Sequence, residues 1–422
     1  MKNHVTIIGG GIIGLFSAYY LRQDGYDVTI IDQSNGSDGC SHGNAGMVVP
    51  SHFIPLAAPG MIEKGIRWMF DRESPFYVKP RLSLDLLRWG WAFYQAANAR
   101  QVDRAIPALR DLGLFSRQLY HGLAHTLPFS FSYEEKGLLM ICQKESTWEE
   151  EVEVAHRAHL LGMDAHVLSA QQLQALEPQV DIRSVGGVFY PGDAHLSPGE
   201  LVQGLQAWLR EAGVTFLYHT AVVDWGKSNG KIEQIWVETQ GERRALPVDR
   251  MVLAGGAWSG QLAKQLGEFL PMQSGKGYSF TQAQPENQHI QIPSILLEAR
   301  VAVTPLGAQS IRFGGTMEVG EVNSHIDGRR VQGIWKAIGQ YYPNYQIPKP
   351  ALENVWYGLR PCAPDGMPYL GVFPGISNLW VASGHAMMGL SLAPATGKIM
   401  ANLLSGQPSP VSLVLYDPAR FA

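Results

Sequence analysis

The chain has 422 residues, too many for one small core, and its 45% hydrophobic and 17% charged residues form an ordinary globular balance that excludes a disordered protein. A net charge of −4 gives no general attraction to nucleic acid, and no apolar stretch approaches the ~18–20 residues needed to cross a bilayer. The three cysteines, Cys40, Cys142 and Cys362, are odd in number and lack metal-ligand spacing, which predicts a reducing compartment, no disulfide framework and no metal site.

Residues 5–8, Val-Thr-Ile-Ile, run straight into Gly9-Gly10-Gly11-Ile12-Ile13-Gly14, a helical pattern, and a second apolar run, 28–31, that ends in Asp32. This is the strand–turn–helix–strand unit that holds a dinucleotide. Gly9 permits the tight turn, Gly11 lets the backbone approach a pyrophosphate, and Gly14 lets the helix sit close to the sheet. The helix start, with Ile12 and Ile13, offers N–H groups and a positive dipole end to that pyrophosphate. Asp32, followed by Gln33, stands where an acid accepts from ribose hydroxyls. The opening run is not read as a signal peptide, because cleaving it would remove the first strand and the glycine turn. The expected location is the cytoplasm, with the inner face of the membrane as an alternative.

Next comes the small-residue loop Ser41-His42-Gly43-Asn44-Ala45-Gly46-Met47, able to run against a flat ring system; a surface glycine loop is the alternative. Residues 53–95 hold many aromatics (Phe53, Trp68, Phe70, Phe76, Tyr77, Trp89, Trp91, Phe93, Tyr94) with Lys64, Arg67, Lys79, Arg81 and Arg88 between them. Packing over the active site is the favoured reading, and contact with a membrane surface the alternative. Residues 83–125 read as helical, with Leu84, Leu87, Trp91, Phe93 and Tyr94, then Leu109, Leu112, Phe115 and Leu119, at helical spacing. A strand is expected at 137–142, a helix at 146–161 and a strand at 186–190. Ser197-Pro198-Gly199-Glu200 predicts a helix start with Ser197 as cap, the helix ending near Gly213. Strands follow at 214–218, 232–239 and around Val252, where the glycine pair of Ala254-Gly255-Gly256, with Trp258, stands at the sheet's carboxyl edge. Residues 272–345 alternate strands with turns, with a helix at 328–341. The run 380–397 reads as a strand, a glycine turn and a helix opening near Gly389.

That last helix start has no use in a nicotinamide enzyme. A flavin needs one, because its reduced ring carries negative charge at the pyrimidine edge. Arg360 is the candidate for the chemistry: its planar guanidinium can fix a carboxylate by two points where Lys cannot. An ion pair with Asp365 is an equal alternative on residue type alone. Tyr278 could support a substrate carboxylate or amine, or be a core aromatic with a backbone partner. His52 is a candidate pocket residue, with a surface histidine as the alternative.

These segments together resemble the D-amino-acid oxidase/dehydrogenase superfamily of flavoproteins, and most of all its D-amino-acid dehydrogenase branch. The matches are Asn44-Ala45-Gly46, Pro55-Leu-Ala-Ala-Pro-Gly60, Gly275-Lys-Gly-Tyr-Ser279, Gly358-Leu-Arg-Pro361 with Pro364-Asp365-Gly366, and Ser383-Gly384-His385. The resemblance implies an α/β fold, with a Rossmann-type FAD-binding domain (1–82, 197–270 and 350–422) interleaved with a substrate domain of antiparallel sheet and helices (83–196 and 271–349). It implies FAD held by Gly9, Gly11, Ile12, Ile13, Gly14, Asp32, Gln33, Ser41, His42, Asn44, Ala45, Gly46, Met47, Val222, Ala254, Gly255, Trp258 and the loop Gly384, His385, Met388, Gly389, Leu390, Ser391. Asp32 would meet the adenosine ribose and the backbone of Val222 the adenine. Attachment is expected to be non-covalent, since Cys362 does not match the position at which some relatives tether FAD. Arg360 would bind the substrate carboxylate, with Tyr278, Met47, His52 and His385 around it; Arg360 and Tyr278 are the expected catalytic pair. The implied reaction is oxidative deamination of D-amino acids, proline-like ones included, with a quinone or O2 as electron acceptor. Alternatives are oxidation of a secondary amine such as sarcosine, glycine or a hydroxyproline isomer, and a flavin subunit of a heteromeric amine dehydrogenase. Peripheral membrane contact and homo- or hetero-oligomers are left open.

Overall fold

The strand His4–Ile8 sits at the centre of a six-stranded sheet, because Val5 and Ile7 on one face and Thr6 and Ile8 on the other are all buried. In spatial order the sheet runs Tyr369–Val372, Leu379–Ser383, Arg250–Leu253, His4–Ile8, Asp27–Ile31 and Thr215–Leu217. All pairs are parallel except Tyr369–Val372 with Leu379–Ser383. The computed structural model describes residues 4–37, 39–60, 76–78, 83–320 and 322–421. Trp68, Phe70, Lys64, Arg67, Lys79 and Arg81 lie outside the described residues.

Helices Ile12–Gln23 and Ala393–Leu404 pack against each other on this sheet. Gly397 makes the close approach possible: a Cβ there would lie 2.5 Å from the Phe16 backbone. On the other side an antiparallel meander of Thr220–Ser228, Lys231–Thr239 and Glu242–Pro247 contributes Val222, Ile232, Ile235 and Val237 to a core shared with Ile31 and Leu253.

The second large sheet has nine strands among the described residues and is mixed. Its order is Trp356–Cys362, Gln273–Ala283, Ser310–Gly320, Val301–Leu306, Ser294–Leu296, Leu138–Cys142, Gly186–Tyr190 and His166–Ser169, with Phe76–Val78 pairing beside Ser310–Gly320. Helix Gly328–Tyr341 covers it through Val331, Ile334 and Ile338. Strands Phe76–Val78 and Trp356–Cys362 are members of this sheet, so boundaries at 82/83 and 349/350 leave two of its strands on the nucleotide side of the division.

Most expected elements are present within a residue or two, with four differences. The helical stretch 83–125 is two helices, Leu84–Ala96 and Ala99–Thr126, broken where Asn98 caps the second by accepting from Gln101 N. Its first stripe does not face the core: Leu84, Leu87, Trp91 and Tyr94 are 63–73% exposed, while Trp89 is buried and donates to the Cys362 carbonyl at 2.8 Å. Ser197 precedes helix Pro198–Glu211 without a side-chain cap bond, and Glu200 instead accepts from the Ser132 hydroxyl. The last helix begins at Ala393 rather than near Gly389, because residues 386–388 form a separate 3-10 turn.

Candidate active site

A cavity of about 1100 Å³ runs between the two large sheets, lined from both. At one end stand the glycine turn, Asp32, Gln33, Ser34 and Thr220–Val222; at the other, residues of the nine-stranded sheet. Among the described lining residues the only carboxylate is Asp32 and the only basic side chains besides histidine are Arg300 and Arg360.

The dinucleotide end is tightly built. A Cβ on Gly9 (φ +109°) would lie 2.3 Å from the Ala254 carbonyl oxygen, and one on Gly14 would lie 1.9 Å from that of Gly9. Gly11 precedes helix Ile12–Gln23, whose first turn carries no acid. Ile12 N–H donates to Ser41 Oγ at 3.0 Å, which ties the 41–47 loop to the helix start. Asp32 accepts from Gly10 N (2.6 Å) through one oxygen and from Ser34 N (2.8 Å) and Ser34 Oγ (2.6 Å) through the other, so its carboxylate is fixed at the cavity wall.

The far loop, 384–391, is fixed by polar clamps. Tyr120 and Ser116 of helix Ala99–Thr126 donate to the carbonyls of Leu390 (2.7 Å) and Ser391 (2.6 Å), and Ser391 Oγ accepts from Val49 N (2.9 Å). His385 bonds Thr396 Oγ1 through Nε2 at 2.9 Å, and burial holds its pKa down to about 3, so it is neutral.

Most of the expected contact residues line this cavity; Gly14, His42, Gly46 and Gly384 do not. Gly14 serves the turn-to-helix approach. The His42 carbonyl accepts from Arg312 at 3.0 Å. Gly46 (φ +82°) abuts the Leu196 carbonyl, and Gly384 (φ +83°) abuts the Tyr369 ring. All four shape the wall from behind. Arg312, unmarked in the sequence, braces the same loop by donating to the carbonyls of His42 and Asn44 (2.7 Å).

Arg360 lies on strand Trp356–Cys362. On the neighbouring strand, two residues beyond its register partner Gly275, Gly277 lets the guanidinium lie against the backbone: a Cβ there would be 2.4 Å from both Nη atoms. The pairing of Gln273–Ala283 with Ser310–Gly320 slips between Lys276 and Tyr278. Near that irregularity stands Thr316 (φ +62°), whose carbonyl accepts from Arg360 Nη1 at 2.6 Å. Burial lowers the pKa of Arg360, and no described carboxylate pairs with it. The alternative partner, Asp365, is taken by Arg420 in a two-point contact of 2.7 and 3.0 Å.

Tyr278 lines the cavity, but its hydroxyl donates to Glu318 Oε1 at 2.8 Å and accepts from Asp327 N at 3.2 Å; Glu318 in turn pairs with Arg330 at 2.8 Å. Its one proton is therefore directed away from a substrate. Tyr357, in register beside it, lines the same cavity with no hydrogen bond to its hydroxyl from any described residue, and residue type gave no reason to choose it. His52 is not a surface residue: it lines the cavity, and burial, then the charge of Arg300, lower its pKa to about 4. Met47, Met387 and Met388 line the wall, Met387 being 45% exposed. Cys362 is fully buried outside the lining, its thiol raised to about 12 by burial and directed at the Arg360 carbonyl, so it offers no thiolate for a covalent tether.

The glycine cradle, the fixed Asp32 and the volume of the cavity fit a flavin dinucleotide. The model of the DAO family, FAD dependent oxidoreductase, matches residues 4–403. A D-amino acid dehydrogenase of Helicobacter pylori is 32% identical over 403 residues, covering 96% of this chain and 95% of that protein. One from Vibrio atlanticus (strain LGP32) is 31% identical over 414 residues, covering 96% and 97%. Among solved structures, glycine oxidase from Geobacillus kaustophilus superposes with a TM-score of 0.79 at 21% identity, covering 99% of both chains. L-proline dehydrogenase from P. horikoshii superposes with a TM-score of 0.73 at 19% identity, covering 100% of this chain and 98% of that one.

Proposed function

The chain belongs to the DAO family of FAD-dependent oxidoreductases, and from that premise we propose that it oxidatively deaminates D-amino acids. The observation that carries this reading is Arg360, a half-buried guanidinium at the cavity wall whose described partners are a single carbonyl and no carboxylate. A carboxylate is the ligand that such a group lacks. The alternative of a secondary-amine substrate shares this carboxylate and is separated from the first by experiment.

FAD, when bound, accepts the hydride that leaves the substrate's α-carbon, and water converts the resulting imine to a 2-oxo acid and ammonia. The glycine turn 9–14, Asp32, Ser41 and the 384–391 loop are proposed to hold FAD. Arg360 fixes the carboxylate and so orients the α-carbon, which is catalysis by positioning. Tyr278 acts as a wall whose hydroxyl is spent on Glu318, a change from the substrate donor expected at first. His385 and His52 are neutral near pH 7 and place no further positive charge beside the substrate amine. The half that binds FAD and the half that binds substrate are proposed to interleave, with the last crossing after the strand Trp356–Cys362 rather than before it.

No helix among the described residues is long and apolar enough to cross a membrane. Peripheral contact through the exposed stripe of helix Leu84–Ala96, bringing the site to a membrane quinone, is the proposed route for electrons.

The test is an anaerobic absorbance titration of the purified protein with D-proline, D-alanine, L-proline and sarcosine. Bleaching of the flavin band by the D-amino acids alone is expected. Bleaching by sarcosine alone would move the chain to the secondary-amine reading.

A further inference from the structure

We propose that the part of the cavity bounded by Arg300 and His52 reads a hydroxyl group on the substrate's side chain or ring, so that hydroxylated amino acids are its preferred substrates. The inference rests on the deamination reading above and extends it to the substrate's far end.

With Arg360 assigned to the α-carboxylate, Arg300 is the second guanidinium that lines the same cavity, at its solvent-exposed side. Arg300 lies in the turn between strands Ser294–Leu296 and Val301–Leu306, in the left-handed region (φ +53°) that non-glycine residues seldom adopt. Its guanidinium makes no hydrogen bond or ion pair among the described residues, and it lines the cavity. Beside it the wall is apolar. Met140, Ile295 and Ala302 stand side by side in register on three adjacent strands, all lining the cavity.

The other polar group is His52, whose tautomer follows from its neighbours. Ser51 has one hydroxyl proton and donates it to Asp193 Oδ2 at 2.5 Å, while Asp193 Oδ1 accepts from Ser51 N at 3.2 Å. Ser51 Oγ can then only accept from His52 Nδ1–H, at 3.3 Å. That leaves His52 Nε2 as a lone-pair acceptor with no partner among the described residues.

The arrangement therefore offers one donor group and one acceptor. A hydroxyl satisfies both, accepting from Arg300 and donating to His52. A second carboxylate would satisfy Arg300 but meet the imidazole lone pair; an ammonium would meet the Arg300 charge; a plain alkyl group would displace water from the exposed Arg300 and from His52 Nε2 and replace neither hydrogen bond. The tautomer holds while Asp193 is ionised. Burial raises the Asp193 pKa to about 7 against its two bonds from Ser51 and the charge of Arg117, and Arg300 is the charge acting on His52. The assays belong at pH 8.

The experiment compares kcat/KM of the flavin-loaded enzyme for D-serine against D-alanine and for cis-4-hydroxy-D-proline against D-proline. The hydroxylated member should win by about 10-fold or more in at least one pair, the scale of one hydrogen bond to a charged group. In R300M and in H52F the ratio should fall to within about twofold of unity; R300K, which keeps charge and donor, should retain part of it. Calorimetry gives a readout free of turnover: hydroxypyruvate should bind more tightly than pyruvate to the wild type and equally to R300M. A wild-type ratio below about 10 in both pairs, or an undiminished ratio in both R300M and H52F, overturns the proposal. If no amino acid, hydroxylated or plain, reduces the flavin, the deamination reading falls and this one with it. Equal oxidation of plain and hydroxylated substrates overturns the selectivity alone.

Discussion

Arg360 is a half-buried cation whose one hydrogen-bond partner among the described residues is a carbonyl, which makes it a cost to the folded protein that a substrate carboxylate relieves. R360M should therefore lower kcat/KM for D-amino acids by about 30- to 700-fold, equivalent to about 2–4 kcal/mol for a lost charge-assisted pair. The same variant should unfold at a higher temperature than the wild type. Steady-state kinetics and a melting curve check the two halves, and a lower Tm would mean that Arg360 has a structural counter-ion. Asp193 supplies a pH-dependent counterpart. Its folded pKa of about 7 lies above the unfolded carboxyl's ~3.9, so between these values the folded state keeps a proton that the unfolded state has lost. Its contribution to stability therefore falls as pH rises from about 4 to about 7. An amide does not titrate, so D193N should gain on the wild type in urea midpoint between about pH 5 and pH 8. A difference that stays flat with pH would show that Asp193 titrates as an ordinary acid. Arg360 was legible in the sequence because residue type and its glycine–leucine–arginine–proline setting pointed one way. The place of Arg300 at the cavity and the Ser51–Asp193 bond were not, because their meaning lies in what the fold brings beside them.

At the scale of elements, the turn after strand Trp356–Cys362 is secured from the far end of the chain. Arg420, in the 3-10 turn Pro418–Phe421, holds Asp365 at two points, donates to the Met367 carbonyl at 2.6 Å and lies 4.0 Å over the Tyr369 ring. Asp365 is 4% exposed. R420A would leave that carboxylate buried without its cation and should cost about 3–5 kcal/mol of stability, read as a lower urea midpoint. The first strand, helix and second strand were readable because period and glycine spacing are local properties. Of the apolar residues of Leu84–Ala96, Trp89 and Phe93 pack inward while Leu84, Leu87, Trp91 and Tyr94 are exposed, since helical spacing says that apolar residues share a face but not what that face meets. The late start of the last helix has a similar cause: residues 386–388 take a 3-10 turn, with Ala386 at φ +48°, which residue type did not announce.

For the molecule as a whole, the two large sheets enclose a cavity lined, among the described residues, by one carboxylate at the glycine-turn end and by two guanidinium groups on the side of the nine-stranded sheet. The exposed Leu84, Leu87, Trp91 and Tyr94 lie on the outer face of helix Leu84–Ala96. L87E/W91E should lower the fraction of protein floating with lipid vesicles by more than half, on the order of the binding lost with two apolar anchors, while leaving oxidation of amino acids by a soluble dye unchanged. Equal flotation of variant and wild type would remove the membrane from the electron route. The amino-acid sequence by itself determined the dinucleotide unit, the family and the candidate arginine, because each is written in short-range spacing and residue type. Only the tertiary structure decided that Asp365 belongs to Arg420, that Tyr278 spends its proton on Glu318, and that Arg300 and His52 share a cavity. Those pairings join residues tens to hundreds of positions apart, and a buried polar group's role is set by the partner that the fold brings to it.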